Sequence, residues 1–259
     1  MNPRTGTRLQ GKTALVTGST RNIGSAIAVA LAAEGAFVIV SGRDTARGAE
    51  VVDTITGAGG HAAFVPADLD GSPEASRRLA ADALTAAGGR LDILVNNAGI
   101  YPAVSTVDTD EAAFDRMYAI NVKAPYFLTA AVVPSMIESG GGVVINLGSW
   151  IARLAVPVGA LYASTKGAME TLTRAWSAEF GPHGIRVNAI SPGVIRPEEH
   201  AADGDFPGAA LMNGTPAAAA GNASGIGAAA VYLASDNSVF VHGTVLDVDG
   251  GRTAVAVVA

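Results

Sequence analysis

Lys12-Thr-Ala-Leu-Val-Thr17-Gly18-Ser19-Thr20-Arg21-Asn22-Ile23-Gly24, continuing through Ser25–Glu34, is the stretch on which the fold turns. Residues 12–17 are a short apolar run with strand composition, and they stop at Gly18. Residues 22–34 (NIGSAIAVALAAE) read as a helix, with Gly35 as its stop signal. A strand that passes through a glycine turn into a helix gathers backbone N–H groups and the positive helix end at one point. Such a turn can cradle a diphosphate. An ordinary tight βα turn has the same outline, so this segment alone leaves both readings open. It is not a P-loop, because no Gly-Lys-Ser/Thr follows.

The pattern repeats outward from there. Strands are expected at 36–41, 61–66, 91–95, 143–147, 185–190 and 245–248. Helices are expected over 44–57, from Ser72-Pro73-Glu74 onward, over most of 110–138, and over roughly 158–181. Short apolar runs alternating with helices imply βαβ units and a parallel sheet covered on both faces. Right-handed crossovers then give an α/β, doubly wound, Rossmann-like fold of about seven strands in one domain spanning 1–259. The first ten residues read as a loose polar arm. Residues 196–224, rich in Gly, Pro and Ala, form a long irregular segment beyond the sixth strand, the usual mark of a lid.

Composition narrows the function. The 259 residues are 49% hydrophobic and 15% charged, with net charge −6. This argues against a nucleic-acid or anionic-membrane surface. The absence of cysteine removes disulfides and thiolate chemistry. No purely apolar run of about 18 residues suggests a membrane span, and the N-terminus lacks a signal-peptide core. A cytoplasmic protein is the default expectation. The four histidines (61, 183, 200 and 242) are dispersed without metal-ligand spacing, so no metal is expected. His200, in the lid, is a candidate substrate contact.

Around the glycine turn, Gly18, Thr20, Arg21, Asn22, Ile23 and Gly24 are the candidate cofactor residues. The second strand ends Ser41-Gly42-Arg43 with no acid at its tip, and Asp44 is placed to begin the helix. Many dinucleotide folds carry a carboxylate there for the ribose hydroxyls. Arg21 and Arg43 instead suit a dianionic 2′-phosphate, so NADP(H) is expected over NAD(H). Asp68-Leu69 is placed to border the adenine. Asn97, Ala98 and Gly99 end the fourth strand with small residues and an amide, over which a dinucleotide can pass.

Tyr162-Ala-Ser-Thr-Lys166 carries the chemistry. Positions i and i+4 share a helix face about 6 Å apart. A phenol beside an ammonium suits proton transfer to an alcohol or ketone oxygen. A unit charge about 4 Å away contributes roughly 4 kcal/mol at an effective dielectric near 20. That arithmetic predicts that Lys166 draws the phenol from about 10 toward 7.

These residues carry a family pattern. The chain resembles the short-chain dehydrogenase/reductases, in the single-domain type of roughly 250 residues. The matching segments are TGSTRNIG (17–24), DL (68–69), NNAG (96–99), Asn121 in NVKAP, Ser149 in INLGS and YASTK (162–166). Pro192-Gly193 in NAISPGVI and the C-terminal YLASD…VHGTVLDVDGG complete the set. The resemblance implies a catalytic set of Ser149, Tyr162, Lys166 and Asn121. In it Ser149 holds the substrate oxygen, Lys166 bonds the nicotinamide ribose, and Asn121 fixes a water that leads to solvent. It also implies a nicotinamide carboxamide held after Pro192-Gly193, near Ile195, and a homotetramer. Three departures stand out. Asn22 replaces a glycine of the turn, and Asn tolerates positive φ. Pro197 replaces a usual Thr. Residues 216–227 lack the Arg and acids common before the last helix, which leaves the docking of the lid open.

The expected activity is NADP(H)-dependent interconversion of a ketone, either a 3-oxoacyl thioester or a small apolar ketone, and a secondary alcohol. The small-molecule pocket would draw on Ile100, Tyr101, Trp150, Ile151, Arg153, Val156 and the lid. Arg153 would either meet an acidic substrate or stand in solvent. A non-catalytic NADP(H)-binding sensor or scaffold, an imine reductase and an epimerase are the alternatives. The apolar faces of the helices over 110–138 and 158–181, and the tail AVAVVA, fit an assembly interface.

Overall fold

A computed structural model describes residues 7–157, 159–197, 206 and 208–256. Seven parallel strands stand in the order β3-β2-β1-β4-β5-β6-β7. They are β1 (Thr13–Thr17), β2 (Phe37–Gly42), β3 (His61–Pro66), β4 (Ile93–Asn96), β5 (Gly142–Leu147), β6 (Ile185–Pro192) and β7 (Val245–Val248). Seven α-helices connect and cover them: α1 (Asn22–Ala33), α2 (Thr45–Gly57), α3 (Pro73–Ala86), α4 (Glu111–Tyr118), α5 (Ala124–Glu138), α6 (Ala160–Phe180) and α7 (Ala223–Ala234). The strand order reverses between β1 and β4, and a ligand crevice opens at such a switch point.

Alternation along the strands splits the core in two. Val16, Val38, Val40, Val95 and Ile145 face α1, α2 and α7. Leu15, Ile39, Leu94, Val144 and Val187 face α3, α5 and α6. Both faces are covered, so the strands are apolar on both sides. Helix starts follow their caps. The carboxylate of Asp44 accepts from the Arg47 N–H, and the hydroxyl of Ser72 accepts from the Ala75 N–H ahead of Pro73.

One sequence expectation needs correction. Residues 7–10 are not loose. Leu9 is buried, its N–H donates to the Glu34 carbonyl, and Arg8 pairs with Glu34. Residues 1–6 lie outside the described residues. The run 110–138 is mostly helical, as expected, and a π-helical turn at Ala119–Lys123 joins α4 to α5 within it. By length and mean hydropathy Glu111–Glu138 is apolar enough to pass for a membrane span, although it holds no purely apolar run of about 18 residues. The last helix, which the resemblance implies without bounds, begins at Ala223. That helix, α7, packs on α1 through small residues. A methyl on Gly227 would lie 2.8 Å from the Ala26 carbonyl.

Candidate active site

A cleft of about 1040 Å³ runs along the C-terminal ends of β1, β2, β4, β5 and β6. One end is the glycine turn. Gly18 has φ +61, and a Cβ there would lie 2.8 Å from the Ala98 Cα. Gly24 allows no side chain either, since its Cβ would meet the Gly18 carbonyl at 2.3 Å. Asn22 has φ 49, the left-handed conformation expected of it in place of glycine. The turn is laced to β4. The Asn97 amide donates to the carbonyls of Thr17 (2.8 Å) and Gly18 (3.0 Å). The Thr17 hydroxyl accepts from the N–H groups of Asn97 and Ala98, both at 3.0 Å. Asn97 therefore lines the cleft but uses its amide to shape the turn. Thr17, which the sequence reading passed over, is its partner.

Arg21 and Arg43 both line the cleft, and so does Arg47, which sequence reasoning missed. Being one turn into α2 brings Arg47 to the same mouth. The carboxylate of Asp44 is occupied in capping. Arg43 Nε lies 4.0 Å from Asp68, across an exposed gap. Leu69, Ala98, Gly99, Pro192, Gly193 and Ile195 also line the cleft, as the sequence predicts.

The other end holds the titratable pair. Lys166 and Ser149 are buried. The Lys166 ammonium donates to the Leu147 carbonyl at 2.9 Å and stands 5.6 Å from the centre of the Tyr162 ring. Burial pushes the Tyr162 phenol up to about 12, against the lowering effect of a hydrogen bond with Ser149. Burial also brings Lys166 down to about 8. The expected fall of the phenol toward 7 is thus overturned. The ammonium lies against the ring, and the low-dielectric surroundings penalise both charged forms.

Asn121 sits in the π-helical turn. Its Oδ1 accepts from the Ile100 N–H (2.9 Å), and its Nδ2 donates to the Ile100 carbonyl (2.8 Å) and the Thr165 hydroxyl (3.1 Å). Thr165 donates onward to the Tyr162 carbonyl at 2.7 Å. The amide clamps the Gly99–Tyr101 segment to α6, rather than serving only as a water site.

Of the expected pocket residues, Ile100, Tyr101 and Trp150 line the cleft, joined by Val194, Phe206 and Leu211. Ile151, Arg153 and Val156 are not among the lining residues. Arg153 is partly exposed and held by neighbours. It pairs with Asp247 and donates to the Ser191 hydroxyl at 3.0 Å. His200 lies outside the described residues. The described parts of the 196–224 segment dock through main chain. Arg196 N–H donates to the Gly221 carbonyl and Gly221 N–H to the Val194 carbonyl, both at 2.9 Å, and Ala217 N–H donates to the Gly250 carbonyl at 3.1 Å. No side-chain pattern reveals such bonds.

A glycine cradle at a sheet switch point, opening into a cleft with a buried Tyr–Lys pair, defines a dinucleotide-dependent oxidoreductase. The chain belongs to the short-chain dehydrogenase/reductase family. A family model described as enoyl-(acyl carrier protein) reductase matches residues 18–253. The D-threitol dehydrogenase of Mycolicibacterium smegmatis is 37% identical over 95% of this chain and 94% of its own. The cyclopentanol dehydrogenase of Comamonas testosteroni is 35% identical over 95% of this chain and 99% of its own. A solved Agrobacterium tumefaciens structure with bound NADP, provisionally named a 2-deoxy-D-gluconate 3-dehydrogenase, superposes with TM-score 0.85. It is 36% identical and covers 98% of this chain and all of that one. The relatives act on alcohols and ketones, and the family uses a nicotinamide cofactor.

Proposed function

We propose that the protein interconverts a ketone and a secondary alcohol with NADP(H), Tyr162 giving or taking the proton. The observation that carries this reading is the meeting of half-buried Tyr162 with buried Lys166 and Ser149 at one end of the cleft whose other end is the glycine turn. Gly18–Gly24, Asp68, Leu69 and Ala98–Gly99 would hold the dinucleotide, with its nicotinamide toward Pro192, Gly193 and Ile195. The cradle fits such a group, because a Cβ on Gly18 or Gly24 would collide with the turn itself. When bound, the nicotinamide supplies or accepts the hydride and, oxidised, brings a positive charge.

At neutral pH the phenol keeps its proton, which suits a proton donor to a carbonyl oxygen. Ser149 supports Tyr162 through its hydrogen bond and stabilises charge on the substrate oxygen. Lys166, fixed by the Leu147 carbonyl, holds a cation beside the phenol and would bond the cofactor ribose. Asn121 keeps the Ile100 segment against α6. In alcohol oxidation the phenol must first lose its proton, so that direction gains with rising pH.

Three guanidiniums at the adenosine end support NADP(H): Arg21, Arg43 and Arg47. Tyr101, Trp150, Phe206 and Leu211 favour a small apolar ketone over a polyol or an acid. Exposed Phe114, Tyr126 and Phe240 support a homotetramer, which light scattering checks. The decisive test is a panel of alicyclic, aromatic, 3-oxoacyl and sugar-derived carbonyls, assayed with NADPH and with NADH. Turnover of alicyclic ketones with NADPH is the expected result. Cofactor binding with no turnover across the panel would sink the reading.

A further inference from the structure

Beneath Ser149 lies a carboxylate that the mechanism above leaves unused. Glu170 sits on α6, one turn beyond Lys166, and is 5% exposed. Its Oε1 has no hydrogen-bond partner. It faces the Gly148–Ser149 peptide, since a Cβ on Gly148 would stand 2.9 Å from Oε1. The Ser149 backbone N–H favours the ionised carboxylate without forming a full bond to Oε1. On the other side, Oε2 lies 3.8 Å from Arg153 Nε. Arg153 is anchored independently by Asp247 and Ser191. Arg174 also favours the charge of Glu170, and Asp247 opposes it.

A buried carboxylate oxygen without a partner is destabilising and calls for a reason. A structural ion pair does not supply one, because Arg153 is already held from two other directions. Gly148 leaves the approach to the carboxylate open. We propose that Glu170 is a positioning residue for Ser149, fixing the Gly148–Ser149 peptide so that the serine hydroxyl meets the oxygen Tyr162 protonates. This rests on the carbonyl-reduction reading above. Hydrogen bonds of this kind are often long before substrate binds and tighten as the reacting geometry forms.

Glu170→Ala removes the carboxylate, and Glu170→Gln keeps its shape and one acceptor oxygen. Each is measured for ketone reduction across a pH series, with NADPH affinity and thermal unfolding alongside. Glu170→Ala is expected to lower kcat roughly tenfold, as small misplacements of reacting groups do, with NADPH affinity unchanged. Glu170→Gln is expected to recover most of that rate. It should also abolish the decline in kcat on the acid side. Burial raises the Glu170 pKa, so the wild type loses the ionised form as pH falls, at a higher pH than an ordinary carboxylate, whereas Gln does not titrate. If Glu170→Ala does not fold, the pH profile of Glu170→Gln decides. Wild-type kcat in Glu170→Ala, or an unchanged acid limb in Glu170→Gln, overturns the proposal. Tyr162→Phe separates the two levels. Full activity there removes the reductase reading itself. An inactive Tyr162→Phe beside unaffected Glu170 variants removes only the role of Glu170.

Discussion

The two ends of the cleft are built on opposite principles. At the dinucleotide end the work is done by backbone: positive-φ turns, missing Cβ atoms and carbonyls laced by Asn97. At the proton-transfer end it is done by buried titratable side chains, each held by a neighbour. The first end tolerates almost no change of shape. The second tolerates changes of shape better than changes of charge.

Tyr162→Phe presses hardest on that contrast. It keeps the ring and removes only the hydroxyl, so turnover should fall about 10³-fold while the fold and NADPH binding persist. Loss of cofactor binding in that variant would break the division between the two ends. Gly24→Ala should do the reverse. A Cβ at 2.3 Å from the Gly18 carbonyl forces the turn open, at a cost on the order of 3 kcal/mol, and binding should fail before chemistry does. Chemical denaturation with and without NADPH checks it.

Lys166→Met sharpens the comparison through pH. The folded pKa of Lys166, about 8, is below its unfolded value, so the unfolded chain binds more protons between the two. Wild-type stability relative to Lys166→Met should therefore rise by on the order of 2 kcal/mol between pH 8 and 10. Above pH 10 the raised Tyr162 acts oppositely, because the unfolded phenol ionises first. A flat difference would mean that Lys166 is not desolvated.

Arg43→Ala should cut the preference for NADPH over NADH about tenfold, with a smaller loss for Arg47→Ala. Equal losses for both cofactors would remove the 2′-phosphate argument. Leu211→Ala should have the smallest effect, a change in ketone KM of under about tenfold with NADPH affinity unmoved.

The sequence made the sheet legible because buried parallel strands are short apolar runs, and β3 and β7 fall where those runs predict. The glycine turn was readable because only certain residues adopt its dihedrals, and Asn22 is one of them. The bounds of α7 were not readable because ASGIGAAAVYLA combines two glycines with small side chains and little amphipathic contrast. Gly227 is where α7 meets α1, a contact that only the tertiary structure displays. The π-helical turn leaves no periodic signature in the sequence. Glu170 drew no reading, because burial cannot be read from residue type. The error over Tyr162 has the same root: charge spacing was visible and desolvation was not.

The contact between α1 and α7 has a consequence for redesign. α1 begins at the phosphate turn, and α7 begins where the lid ends, with no room for a methyl between Gly227 and Ala26. The lid's other end leaves the sheet at Gly193, whose N–H bonds the Val248 carbonyl at 3.0 Å. Both abutments of the span are thus tied to the sheet and to the helix that follows the glycine turn. Breeding a new substrate preference into this scaffold should leave those abutments intact and recut only the arch between them.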